Sequence, residues 1–248
     1  MKKKPVDSRK LLHNATRCLL QAGGLLLWLS FMSTDVIAQN VLPDTIAQRA
    51  IACTACHGKE GRAASDGFYP RIAGKPAGYL YNQLVNFREG RRKYPLMIYT
   101  VDHLSDAYLR EMAEYFSGLH PPYPSPQAAN VPQAVLERGR ILVQSGDASR
   151  HVPACVACHG KTLTGVAPSI PGLVGLPRDY LSAQFGAWKN GSRRAAAPDC
   201  MAQIASRLTV EEISAALAWL AAQAIPAQTA PAPAATEKLP MPCGSLPQ

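Results

Sequence analysis

The sequence is poor in what most function classes need. Only 17% of its residues are charged and 7% aromatic. The basic residues are scattered and form no stripe with aromatics, so nucleic acid is excluded as a partner. No glycine-rich loop that would cradle a phosphate is present, and no nucleophile stands with a base in a catalytic pattern. No alternating apolar–polar run marks a strand. Long hydrophobic runs are missing too. The main apolar stretch, CLLQAGGLLLWLSFM, is short for a membrane span and is broken by Gln21 and the pair Gly23–Gly24. What remains is 47% hydrophobic over 248 residues, the composition of a soluble globular chain. That length accommodates one large domain or two of roughly 100 residues.

The N-terminus has the layout of an export signal: a basic MKKKPVDSRK, the short apolar stretch, then small residues in DVIAQN. Residues 1–38 are therefore expected to be a signal peptide cleaved after Ala38, with an uncleaved anchor as the alternative. Cys18, in ATRC, lacks the setting for lipid attachment. The formal charge of +9 falls to +5 without this segment, because it holds Lys2, Lys3, Lys4, Arg9, Lys10 and Arg17 against Asp7 and Asp35. Export places the chain in the periplasm.

Four of the seven cysteines lie in two copies of Cys-x-x-Cys-His: Cys53, Cys56 and His57, then Cys155, Cys158 and His159. A cysteine pair alone fits a redox dithiol, half a zinc site or two disulfide ends. A histidine directly after it is the attachment sequence of c-type haem, in which both thiols join the porphyrin and the imidazole takes the iron. Two such motifs in register with a repeat predict two haem c, one covalently attached in each copy.

The repeat extends beyond the motif. PRIAGKPAGYLYNQLVNFREGRR faces PGLVGLPRDYLSAQFGAWKNGSRR, so Pro70 meets Pro171, Gly74 meets Gly175, Gln83 meets Gln184 and Phe87 meets Trp188. Further on, Met97 meets Met201. The first domain is read as 41–118, a Pro-rich stiff linker as 119–132, the second domain as 133–224, and a Pro/Ala-rich surface tail as 225–248. Each copy reads as all-α. One helix precedes each cysteine motif, and a second spans Ala77–Arg88 or Arg178–Asn190. A third closes the copy, opened by Ser105 or by the capping box Thr209–Glu212.

Electron-transfer haem needs a second axial ligand. Met97 and Met201 are the candidates, because they are equivalent in the repeat and fall in what reads as a loop before the closing helix. Of the competitors, His103 faces Arg207 in the other copy, and His120 and His151 also lack partners. Met112 reads as core filling. Ligation by His57/Met97 and His159/Met201 favours ferrous iron and implies high potentials. Pro70 and Pro171 follow the histidines by 13 and 12 residues, so their carbonyls are expected to orient the imidazoles. Tyr79, Tyr180, Phe87 and Trp188 read as core and haem packing. Arg88, Arg91, Arg92, Arg193 and Arg194 read as solvated arginines, with pairing to the haem propionates as the alternative. With Cys18 removed, Cys200 and Cys243 remain as an even pair in an oxidising compartment, and a disulfide between them is expected.

CTACHG, YPRIAGKPAGYLYNQLVNFREGRR and LSDAYLREMAEYFSGL in the first copy resemble the class I c-type cytochromes in tandem, most closely the dihaem cytochrome c4 family. GDASRHVPACVACHG and YLSAQFGAWKNGSRR in the second copy do the same. The resemblance covers about 41–224 and implies two tandem class I cytochrome c domains acting as a periplasmic electron carrier. The chain departs from that pattern in the APDCM insertion before Met201 and in its Cys-bearing tail. The expected function is the relay of single electrons from a dehydrogenase or quinol-oxidising complex to a terminal oxidase. The alternatives are a permanent electron-transfer subunit of a periplasmic dehydrogenase and, from another class, a dihaem peroxidase or thiosulfate-oxidising enzyme. The paired methionines speak against an open iron and so against catalysis. Membrane association would come through partners or an uncleaved N-terminal anchor.

Overall fold

Side-chain caps or prolines set the helix starts of the first copy in the computed structural model, which describes residues 43–63, 68–234 and 238–246. The proposed signal segment and Cys18 lie outside the described residues. In the first copy, Thr45 accepts the Gln48 amide at 3.2 Å and opens α1 (Ile46–His57). Helix α2 (Ala77–Arg88) follows Pro76, and α3 (Pro95–Val101) has its proline at the first helical position, where the missing N–H costs nothing. Ser105 caps α4 (Asp106–Ser117) through the Tyr108 amide at 3.2 Å.

The second copy repeats the plan with changes around the cysteine motif. Helix α5 (Gln133–Gln144) ends before the cysteine motif, which forms its own turn, α6 (Val156–His159). A hairpin of two-residue strands follows, β1 (Gly165–Val166) paired antiparallel with β2 (Ile170–Pro171) in the register Val166↔Ile170. Strands of two residues are too short to show alternation, so nothing in the sequence marked them. Then come α7 (Arg178–Lys189), α8 (Cys200–Arg207), capped by Asp199, and α9 (Val210–Ala221), with the reciprocal Thr209–Glu212 capping box in place.

In each copy the closing helix packs across the first two long ones: α4 on α1 and α2, α9 on α5 and α7. At the second crossing a Cβ on Gly139 would run into the Ala215 carbonyl, so glycine permits the close approach. The cores hold Leu80, Met112 and Phe116 in the first copy, and Leu142, Leu176 and Leu217 in the second. Among the described residues no helix is long and apolar enough to cross a membrane.

The copies meet edge to edge within one compact unit. Arg92 and Arg193 form an antiparallel bridge, flanked by Lys93 N to Ser192 O (2.7 Å) and Arg194 N to Arg91 O (2.8 Å). The Pro-rich connection is tied down. The Arg71 guanidinium donates to the Pro121 and Pro122 carbonyls at 2.5 and 3.0 Å and lies 3.8 Å from the Tyr123 ring centroid.

Candidate cofactor sites

Both motifs end a helix. In the first copy the last turn of α1 presents Cys53, Cys56 and His57, and Gly58 then turns the chain at φ 74°. A side chain at Gly58 would strike the Ala63 carbonyl, so this turn needs glycine. Gly160 takes the same part at φ 84° after His159. Each imidazole is 8% exposed. His57 Nδ1 lies 2.9 Å from the Pro70 carbonyl and His159 Nδ1 lies 2.7 Å from that of Pro171. Burial pushes both rings below the usual histidine pKa, with the proline carbonyls opposing it. The neutral rings donate Nδ1–H to those carbonyls and keep Nε2 as a lone-pair donor.

Three of the four thiols sit where burial disfavours the thiolate that a redox pair or a zinc site needs. Burial pushes Cys155 up to about 11 and also raises Cys53 and Cys158, the reverse of activated thiolates. Among the described residues no cluster of three or more His, Cys, Asp or Glu side chains is arranged to hold a metal ion.

An apolar cavity opens beside each motif. The first, about 570 Å³, is lined by Cys53, Cys56, His57, Met97 and core residues such as Leu80, Phe87 and Leu109. Such a volume suits a cofactor of some size. The second, about 170 Å³, is lined by Cys155, Cys158, His159 and Met201. Leu239, Met241 and Leu246 of the C-terminal tail form part of its wall. Met97 and Met201 both line their cavities, but they lie within the short helices α3 and α8 rather than in loops. Pro95 and Asp199 start those turns of helix. His103, with its side chain 93% exposed, lines neither cavity. Met112 is 4% exposed, packed in the first core and against the first cavity.

Cys200 and Cys243 are joined by a disulfide, with Cα atoms 5.1 Å apart. It anchors the tail, whose Ala232 also pairs with Gly165 and Ala167 and whose Ser245 carbonyl accepts from Asn82 of the first copy at 2.8 Å.

The cavities converge at the junction of the copies. Lys75, Tyr79, Gln83, Tyr180, Gln184 and Arg193 line both. Arg92 donates to Gln83 Oε1 and Gln184 Oε1 at 3.1 and 2.7 Å. Arg193 donates to the same two oxygens at 3.2 and 2.7 Å, and to the Tyr79 hydroxyl at 3.3 Å. Burial alone would raise the Tyr79 hydroxyl, but Arg193, Arg92 and Lys75 around it hold it below the usual value.

The chain matches no family model. It is 38% identical over 177 residues to a thiosulfate dehydrogenase electron acceptor of Thiomonas intermedia (strain K12), covering 70% of this chain and 79% of that one. A cytochrome c4 of Azotobacter vinelandii is 30% identical over 183 residues, covering 69% and 84%. The solved thiosulfate dehydrogenase of Marichromatium purpuratum superposes with a TM-score of 0.62 at 32% identity, covering 70% of this chain and 36% of that one. The chain belongs to the dihaem cytochrome c4 family. As a cytochrome c4 relative it has the fold of two class I cytochrome c domains and carries two haem c. It transfers electrons and is not itself a catalytic subunit.

The residues of this cytochrome fit that group. Each cavity offers two thiols, a neutral imidazole and a thioether against apolar walls. The junction offers the cations that haem carboxylates require. Lys75, Arg92 and Arg193 make no ion pair among the described residues, whereas Arg88 is paired with Asp106 and Arg91 with Glu89. The sequence grouped these arginines; the structure separates them. It also gives Tyr79 and Tyr180 polar duties beyond packing, as hydroxyl partners of Arg193 and Arg92, and Gln83 and Gln184 a role that periodicity does not reveal.

Proposed function

We propose that this cytochrome accepts electrons from a thiosulfate-oxidising dehydrogenase in the periplasm and passes them on singly to a terminal oxidase. Residues 1–38 would serve as the export signal. The observation that carries the reading is the pair of like donor sets, each in its own apolar cavity, meeting at one cationic junction. In this reading Cys53 and Cys56 would hold one haem and Cys155 and Cys158 the other, with His57 and Met97, and His159 and Met201, as the side chains that would hold the irons. Bound haem c supplies a one-electron Fe(III)/Fe(II) couple at each site. The chain's own residues do the rest. The carbonyls of Pro70 and Pro171 fix the imidazole planes and tautomers, and the apolar walls exclude water. Arg92 and Arg193 would supply the positive charge for haem carboxylates where the sites approach each other. Two one-electron sites also match a dehydrogenase that releases electrons in pairs. Support for the donor comes from the 38% identical relative, named as the electron acceptor of thiosulfate dehydrogenase.

The test is a stopped-flow reduction of the oxidised holoprotein by thiosulfate with a purified thiosulfate dehydrogenase. Rapid reduction of both haems that depends on the dehydrogenase is the expected result. Reduction no faster than with the dehydrogenase omitted would refute the donor. A quinol-oxidising complex would then be the donor to try.

A further inference from the structure

The repeat is least symmetric where the two cavities meet. Lys75 and Leu176 occupy equivalent places, each just after the glycine of its loop and just before the proline that opens α2 or α7. Leu176 is 6% exposed and belongs to the second core, as an apolar residue there should. Lys75 is 8% exposed and carries an ammonium into the same kind of position. It makes no hydrogen bond or ion pair among the described residues. Its partner is the face of Tyr79, with Nζ 6.0 Å from the ring centroid.

An ammonium buried without a counter-charge is among the least favourable arrangements in a protein. Burial accordingly pushes the Lys75 pKa down, with Tyr79 opposing and Arg71 and Arg193 reinforcing the fall. The position makes sense if an anion arrives with the bound group, and haem brings carboxylates.

Lys75 lines both cavities, so the side it serves must come from its surroundings. Three residues on, the Gly78 amide donates to the Pro168 carbonyl of the second copy at 3.0 Å. A Cβ at Gly78 would run into Pro168 and Ser169. The start of α2 is thus seated against the loop leading to Pro171, the acceptor for His159. The counterpart of Gly78 in the repeat is Asp179, and this carboxylate lines the first cavity. Across the junction, the second copy presents both the Asp179 carboxylate and the Arg193 guanidinium to the first site, whereas Lys75 is the one charged side chain that the first copy presents to the second among the described residues.

We propose that Lys75 is a positioning residue that the first copy lends to the second site, where its ammonium pairs with a haem carboxylate and raises that site's reduction potential above the first. This rests on the two-haem reading above. A nearby positive charge stabilises the added electron, so its loss lowers the potential.

Potentiometric titration of the holoprotein tests it, with the two waves assigned through Met97→Ala and Met201→Ala. The native protein should show the second site at the higher potential. Lys75→Gln and Lys75→Met should lower the second wave and leave the first nearly unmoved, and Lys75→Arg should restore it. Equal falls in both waves, a fall in the first alone, no movement, or an arginine variant that behaves like glutamine would each overturn the inference. Intact mass reports haem loading. Loss of the second haem from the Gln and Met variants, with both haems kept by Lys75→Arg, also supports the pairing; failure of all three to load overturns it. A native chain without two haems by mass refutes the underlying reading, whereas two haems with an unmoved second wave refute the Lys75 inference alone.

Discussion

The disulfide from Cys243 reaches Cys200, the residue immediately before Met201. One covalent bond thereby joins the start of α8, which carries the proposed thioether donor, to the tail that walls the second cavity. The first copy has no such strap among the described residues.

Cutting that bond should affect one site. Cys243→Ser is expected to weaken the second haem's methionine charge-transfer band and shift its potential, leaving the first haem's nearly unchanged. Closing a loop with a sequence separation of 43 residues is worth about 4 kcal/mol on the chain-entropy account, so thermal unfolding should also come earlier. Equal changes at both haems would contradict the arrangement.

The thioether donors are tested separately. Met97→Ala and Met201→Ala should each remove part of the sulfur-to-iron charge-transfer band of the oxidised protein, and together all of it. Met112→Ala should leave the band intact while destabilising the first core by about 2–5 kcal/mol. A band that survives the double change assigns the donors elsewhere.

Both irons should also be closed to outside ligands. Native protein is expected to bind carbon monoxide poorly and to show little peroxidase turnover, as befits a carrier. Fast peroxide turnover by undamaged protein would point to an open iron position.

Acid should loosen the second copy through Glu212. Its carboxylate bonds Arg150 at 2.7 and 2.9 Å and Arg138 at 2.5 Å, and these contacts, Arg150 foremost, hold its pKa at about 2, against an ordinary 4.5. Because the folded value is the lower one, the stabilisation is full above the unfolded value and fades as pH falls from about 4.5 towards 2. Glu212→Gln should cost roughly 1.5–3 kcal/mol at neutral pH, since the charge-assisted bonds to Arg138 and Arg150 are lost while glutamine can still complete the capping box. It should also flatten stability over that acid range in denaturant titrations. An unchanged acid profile would assign the loss to another carboxylate.

Local signals made much of this molecule legible beforehand. Ala77–Arg88 emerges with the expected ends because Pro76 starts it and Glu89–Gly90 stop it. Thr209 and Glu212 cap each other as their spacing requires. The histidine–proline contacts follow from a proline that recurs in both copies, 13 residues after His57 and 12 after His159. What stayed hidden depends on residues far apart in sequence. Gln83 and Gln184 look like polar positions on two amphipathic helices, and nothing local says that both accept from the same two arginines. Lys75 looks like a surface lysine until the second copy covers it. The hairpin at Gly165–Pro171 is too short for periodicity to register, and the turns of helix around Met97 and Met201 are short enough to read as loops.

The Arg92–Arg193 bridge has a consequence for how the duplication can change. Each arginine is held by a glutamine from its own copy and one from the other, so neither half carries a complete set of partners. Either half taken alone would have a bare edge, a half-satisfied guanidinium and a cavity missing part of its wall. The second copy is therefore no spare. The two must alter together at this seam, and a substitution on one side is answerable to the other.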